Sequence, residues 1–374
     1  MGANYEWGYI RNRFQLVIGE EYMLIGHQRI WEYLVKSAKR DKLAHAYLFA
    51  GSAQVGKMAT AMEFAKWLFC EENNLYDNLT PTLSSERRGN NKGLPCGKCH
   101  ACLSIEHNQN PDVFILSAKQ TDKNDVLKNA EIGIKEVRDL QHKLSLSPYE
   151  FSHKIAIIEE AAVLSDEAAS ALLKTLEEPS SHSLIILISS FWQTVLPTII
   201  SRCQLIKFLP VAEWEMLNKL KNFNPPTSLC VMGVNTGMNL QKAVKLSAGR
   251  PGRAINFLRE PERLADQEKE IEIFEKLLKS PLVWRLEQAA KLSQNIIETQ
   301  EILNQWLLWL RDRILEISGQ ADLVISGQKN KDILNNYRVV NLIGACREIQ
   351  KTQSILANPS FNAKLALEVL MMKI

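Results

Sequence analysis

Gly51-Ser52-Ala53-Gln54-Val55-Gly56-Lys57-Met58 follows a short apolar run, Ala46-Tyr47-Leu48-Phe49-Ala50, and precedes a helical pattern carrying Met62, Phe64, Ala65 and Leu68. The apolar run reads as a buried strand. Strand, glycine-rich loop, Gly-Lys and helix, in that order, are the context of a phosphate-binding P-loop. The glycines let backbone N–H groups curl around a phosphate, and the helix that follows offers its positive end there. Lys57 would set a point charge against the outer phosphates. The position after the lysine is ordinarily Ser or Thr, whose hydroxyl ligates Mg²⁺. Here it is Met58. A thioether is a soft, weak ligand, whereas Mg²⁺ takes hard oxygen. The loop is therefore expected to hold a phosphate but to be poorly equipped for hydrolysis, which argues against Mg²⁺ as a cofactor.

Length and composition set the outer bounds. The chain has 374 residues, room for two or three domains with substantial cores. Its 46% hydrophobic and 23% charged content is that of a soluble globular protein. A formal net charge of +3 argues against a strongly basic, autonomous nucleic-acid binder and leaves room for a local basic patch. No run approaches the roughly 20 apolar residues of a membrane span. Met1 to Phe14 has no apolar signal core. A cytoplasmic location with no membrane contact is the expectation. Of seven cysteines, Cys70, Cys96, Cys99 and Cys102 lie close in sequence, which suggests metal rather than disulfides.

Along the chain, Ile25-Gly26-His27-Gln28 opens a helical pattern ending near Lys39. Glu71 to Gly93 is polar and reads as a surface loop or insertion. It ends in Cys96-Gly97-Lys98-Cys99-His100-Ala101-Cys102. With Cys70 as fourth ligand, these cysteines could form a closed tetrahedral Zn²⁺ site, structural rather than catalytic. His100 and His107 are alternative fourth ligands, and reduced thiols without metal are the plainer reading. Val113 to Leu116 lies in the next strand candidate, and Lys154-Ile155-Ala156-Ile157-Ile158 ends in Glu159 and Glu160. Such a run is a buried parallel strand with carboxylates at its carboxyl end, where open α/β sheets bind ligands. Ser165 is a candidate cap for a helix that Pro179 stops. Ser183 to Ser190 and Leu205 to Phe208 are further strands. After Pro210 the pattern turns helical: segments near Ala212–Lys221, Asn239–Leu246 and Arg253–Arg259, then long amphipathic helices bearing Trp306 and Trp309. The tryptophan pair reads as helix core or subunit interface rather than a base-stacking site.

Four stretches together resemble a known family: His45-Ala46-Tyr47-Leu48-Phe49 before the loop, the cysteine cluster, Leu172-Leu173-Lys174-Thr175-Leu176-Glu177-Glu178-Pro179, and Leu196-Pro197-Thr198-Ile199-Ile200-Ser201-Arg202-Cys203. They are similar to the clamp-loader subunits of bacterial DNA polymerase III, which are AAA+ proteins. The resemblance covers about residues 22 to 260 well, and only loosely thereafter. It implies a RecA-like α/β domain, a parallel sheet with flanking helices, over 1–210, including a zinc module near 70–102. A small helical lid over 211–262 and an all-α collar domain for oligomerisation over 263–374 would follow.

In that family the arginine of Ser-Arg-Cys reaches ATP bound to the neighbouring subunit, so Arg202 is the implied arginine finger. A guanidinium is always charged and its fork matches phosphate oxygens. His27 and Gln28 fall where the family contacts adenine. Glu160 holds the general-base position, but Glu159 stands where the hydrolysing members have an aspartate supporting the metal. Gly252-Arg253-Ala254 stands where they read Arg-Asp-Ala. With Met58, these departures resemble the δ′-type members, whose role is non-catalytic or weakly active. The implied partners are the γ/τ and δ types of subunit, with the sliding clamp and primed DNA reached through the complex. Gly51, Gly56, Lys57, Met58, Glu159 and Glu160 would then form a degenerate nucleotide site, with ATP or ADP as an occupant or the loop without one. The alternative is a γ/τ-like subunit that itself hydrolyses ATP.

Overall fold

The computed structural model describes residues 24–73, 93–118, 131–221, 236–260, 262–320, 324, 339–356 and 361–374. The N-terminal stretch, most of the 71–93 segment, most of the connection before Gly133 and most of Gly319 to Asn330 lie outside them.

The described residues form two compact units. The first is built on five strands: β1 (Ala46–Ala50), β2 (Val113–Leu116), β3 (Lys154–Ile158), β4 (Ser183–Ser189) and β5 (Gln204–Lys207). All pair in parallel, in the order β2-β3-β4-β1-β5. Every residue of β1, β3 and β4 is buried. That is why these three read as continuous apolar runs: a strand covered on both faces has no polar side to alternate with. The edge strands β2 and β5 are only partly buried, and β5 carries Gln204 and Lys207 on its exposed positions.

The helices of this unit are α1 (Gln28–Lys39), α2 (Lys57–Phe69), α3 (His100–Glu106), α4 (Ile134–Ser145), α5 (Asp166–Glu177), α6 (Pro197–Ile200) and α7 (Glu213–Leu220). The connection from β1 to β2 runs one way along the sheet, and those from β2 through β3 and β4 to β5 run the other. Right-handed crossovers then place α2 and α3 on one face and α4 and α5 on the other. Packing agrees: α2 lies against α1 and α3, and α4 lies against α5. The reversal falls at β1, so the crevice beyond its carboxyl end is a topological switch point. The glycine-rich loop sits there.

Local signals set the helix ends. Ser165 Oγ accepts the Ala168 N–H at 3.1 Å and caps α5. Pro197 begins α6, where its missing N–H costs nothing.

The second unit is helical: α8 (Thr236–Leu246), α9 (Pro251–Arg259, whose first two residues go with the first unit), α10 (Glu262–Lys279), α11 (Leu282–Leu292), α12 (Ile296–Ile317), α13 (Val339–Leu356) and α14 (Ala363–Lys373). Phe274 stacks on Trp306 at 4.4 Å between centroids and meets Trp309 edge-on at 5.5 Å. Trp306 and Trp309 are each 1% exposed, so the pair is core and no base could stack on it. The Trp309 indole N–H donates to Glu275 Oε1 at 3.0 Å, and the Arg313 guanidinium lies 5.3 Å from the Trp309 ring. No helix among the described residues is long and apolar enough to cross a membrane. A parallel sheet with flanking helices, followed by a helical C-terminal part, is the architecture that the sequence resemblance implied.

Candidate functional site: the glycine loop, Arg202 and a cysteine cluster

The glycine loop is shaped by positive φ at both ends and by close packing at its start. Gly51 has φ 155 and Gly56 has φ 116, values that a side chain resists. A Cβ at Gly51 would also collide with the Phe208 carbonyl. Gly56 is the N-cap of α2, so the helix starts at Lys57 and aims its first N–H groups at the loop.

Lys57 is 5% exposed. Its ammonium donates to the Gly51 and Ser52 carbonyls, the latter at 2.8 Å, and lies 3.4 Å from Ser190 Oγ. Burial lowers its pKa from 10.5 to about 8, with the charges of Glu160 and Glu159 opposing the shift. Met58, next in the chain, packs its partly buried side chain against the main hydrophobic core. The position that would present a hydroxyl to a metal thus presents a thioether to the core.

The carboxylates behave differently from each other. Glu160 adopts a left-handed backbone with φ 60 and ψ 72. This turns its side chain back onto the end of β4. Oε1 accepts from Ser189 Oγ at 2.8 Å and from the Ser190 N–H at 2.9 Å, and Oε2 accepts the same N–H at 3.0 Å. Ser190 therefore joins the carboxylate to the lysine. Glu159 begins the turn, its N–H on the Leu116 carbonyl at 2.8 Å. His27 Nε2 is 2.9 Å from the Val55 carbonyl, and its ring meets Phe208 edge-on at 4.7 Å. Burial lowers its pKa. Gln28 bonds Glu32 on the helix surface instead. The Gly252 N–H donates to the Gln54 carbonyl at 2.9 Å, so this glycine rests on the loop backbone.

Arg202 stands apart from this cluster, just after α6. Its Nη2 lies 2.6 Å from Glu177 Oε1, and Nη1 donates to the Thr198 carbonyl at 2.9 Å. The side chain is 36% exposed. Cys203, beside it, is a partly buried thiol whose pKa burial pushes up to about 12.

The cysteine cluster forms as the spacing suggests. Cys70, Cys96, Cys99 and Cys102 bring their sulfurs within 4.8 Å of one another. Four thiolates around Zn²⁺, at about 2.3 Å each, would stand about 3.8 Å apart. Cys96 and Cys102 are 4.0 Å apart, so small adjustments close the site. The Cys96 N–H points at Cys70 Sγ at 3.4 Å, and the Cys99 N–H at Cys96 Sγ at 3.3 Å, contacts that favour thiolate. The hydrogen bond from Cys102 lowers the Cys70 thiol to about 5 and raises its own. The donor set and the geometry both fit a metal ion. His100 turns away, with Nδ1 3.5 Å from Glu150, and no histidine belongs to the group among the described residues.

Two helices and one turn hold this cluster. Cys70 caps the end of α2, and Cys102 lies within α3. Lys66 of α2 is buried beside Glu63 at 3.0 Å and Glu106 of α3 at 3.8 Å, tying the two helices together. Phe69 stacks on Phe151 at 4.3 Å. The turn bearing Phe151 is fixed by Asp112, a fully buried carboxylate that accepts the N–H groups of Tyr149, Glu150 and Phe151 at 2.9–3.2 Å. Sequence reading passed over Asp112, Ser190 and Glu177. The first follows a proline in a strand candidate, the second ends a strand, and the third sits in a motif read only for resemblance.

A family model described as DNA polymerase III, delta subunit, matches residues 26–212, half of the chain. DNA polymerase III subunit delta' of Bacillus subtilis is 31% identical over 219 residues, covering 59% of this chain and 58% of that protein. Subunit tau of the same organism is 31% identical over 208 residues, covering 56% of this chain and 31% of its own length. Subunit delta' of Pseudomonas aeruginosa is 33% identical over 176 residues, 47% of this chain and 45% of that one. The chain thus spans less than two thirds of the length of each of these relatives. With half its length matched by one model and the parallel sheet, loop and Ser-Arg-Cys turn falling inside that half, the chain belongs to the family of DNA polymerase III clamp-loader subunits.

Proposed function

We propose that this chain is a δ′-type subunit of the clamp loader, with little or no ATPase activity of its own. It gives Arg202 in trans to ATP on a γ/τ-type neighbour while the assembly places a sliding clamp on primed DNA. The observation that carries this reading is the contrast between its two phosphate-directed features. Met58 offers a metal no oxygen and packs on the core. Arg202 is partly exposed on the surface, its guanidinium held by Glu177 and Thr198. Glu160, in the general-base position, already accepts from Ser189 and Ser190. A base without a held Mg²⁺ and a correctly placed nucleotide contributes little. Zn²⁺ in the four-thiolate cluster has a structural part in this reading, because four protein ligands leave it no open position. Domain limits at 210 and 262, and a collar role for the last helices, belong to the same proposal.

Arg202→Ala in the fully assembled ring is the test. An arginine finger removed should slow hydrolysis at the one ATP site it serves by a factor of about 10³ and so lower turnover by the ring, with the ring still assembled. Unchanged turnover in an intact ring refutes the finger. A second reading is favoured by the tau relatives: a subunit that hydrolyses ATP itself. Mg²⁺-dependent turnover by the isolated chain, abolished in Lys57→Ala, would select it.

A further inference from the structure

We infer that Glu177 is a positioning residue for Arg202, so that two of the four stretches carrying the family resemblance act as one device. The inference rests on the reading of Arg202 as a donor to a neighbouring subunit's phosphate.

Glu177 is the last residue of α5, and Glu178 is its C-cap. Two carboxylates at the negative end of a helix are locally unfavourable, since that end prefers cations. A local cost without a local gain points to a use elsewhere. The use visible here is Arg202. Packing of α5 against α6 brings Glu177 Oε1 to 2.6 Å from Nη2, while the Thr198 carbonyl takes Nη1 at 2.9 Å. One acceptor comes from each helix, so the guanidinium plane is fixed between two elements.

An arginine has five N–H donors. These contacts occupy two, and Ser201 Oγ lies 3.5 Å from Nη1, leaving donors for a phosphate among the described residues. Arginine is rich in rotamers, and ordering it at the moment of binding opposes the contact. Held by Glu177 and Thr198, the side chain is ordered beforehand. The pair is also weak enough to guide rather than to sequester: both partners are at least one third exposed, where ion pairs are shielded by water. A phosphate of higher charge can share the guanidinium without displacing the carboxylate.

The experiment is a double-mutant cycle on ATP turnover by the ring assembled with its hydrolysing subunits. Arg202→Ala, Glu177→Ala, the double variant and Glu177→Gln are compared. Glu177→Ala should lower kcat about fivefold, the loss expected for one weak orienting ion pair. KM for ATP should stay unchanged, because the finger acts on the transition state. Glu177→Gln keeps one acceptor oxygen and should lose less. Adding Glu177→Ala to Arg202→Ala should cost nothing more. The thermal unfolding midpoint of the Glu177→Ala chain should match the parent. If Arg202→Ala lowers kcat and Glu177→Ala does not, the positioning role is overturned while the finger stands. A rise in kcat would overturn it too, by making Glu177 a restraint. So would a full further loss in the Arg202→Ala background. If Arg202→Ala itself has no effect, the finger fails and the positioning role falls with it.

Discussion

The buried ammonium of Lys57 makes the stability of this chain depend on pH in a way that one substitution isolates. Burial lowers its pKa from 10.5 to about 8. A lysine whose folded pKa lies below its unfolded value binds fewer protons folded than unfolded. The protein then pays a penalty that is fully present below pH 8 and is lost as pH rises toward 10.5. A difference of about 2.5 pKa units corresponds to about 3 kcal/mol. Between pH 7 and pH 9.5 the linkage relation releases about 2 kcal/mol of it. Lys57→Met has no such proton. It also removes the hydrogen bonds to the Gly51 and Ser52 carbonyls, a loss that does not change with pH. Urea unfolding of both chains at steps from pH 7 to 9.5 separates the two effects. The parent should gain about 2 kcal/mol relative to Lys57→Met over that range, while other groups titrate equally in both. A difference that stays constant with pH would refute the argument, and the lysine would then be solvated or paired better than its surroundings suggest.

Two further outcomes follow from the same unit. Asp112→Ala leaves three N–H groups of the 149–151 turn without their acceptor and should cost about 3–4 kcal/mol by urea unfolding; a loss below about 1 kcal/mol would mean that water replaces the carboxylate. Metal analysis should find about one Zn²⁺ per chain, lost in Cys99→Ser and kept in Cys203→Ser, because Cys203 lies outside the cluster; equal loss in both would point to unfolding rather than a ligand.

Much of the sheet was legible in the sequence because buried parallel strands leave continuous apolar runs. β1, β3 and β4 are where those runs put them, within a residue at their ends. The cysteine cluster was legible because close spacing along the chain brought three ligands near each other before any folding. Cys70 joined them only because it ends a helix whose start was also legible. The interactions of the charged groups were not. Glu177 and Arg202 meet through the packing of α5 on α6, and nothing in either motif names the other. The loop of Lys57 was readable, but the internal acceptors of its ammonium are backbone carbonyls, which every residue carries. Asp112 was not legible, because an acid at a strand start is common and its three partners lie in a turn before the next strand.

The helix α2 has the glycine loop at one end and Cys70 at the other, and this has a consequence for the order of assembly. During synthesis α2 leaves the ribosome before Cys96, Cys99 and Cys102 exist. Joining Cys70 to Cys96 closes a segment of 26 residues, which costs a free chain about 3 kcal/mol of entropy. A metal that grips all four sulfurs offsets this cost in one step, but only once the last cysteine has been made. Until then nothing joins Cys70, at the far end of α2, to the turn that carries the other three sulfurs. If the cluster takes up a metal, its supply would then set when the Cys96–Cys102 turn is joined to the end of α2, as a matter of timing during production rather than of the finished protein's chemistry.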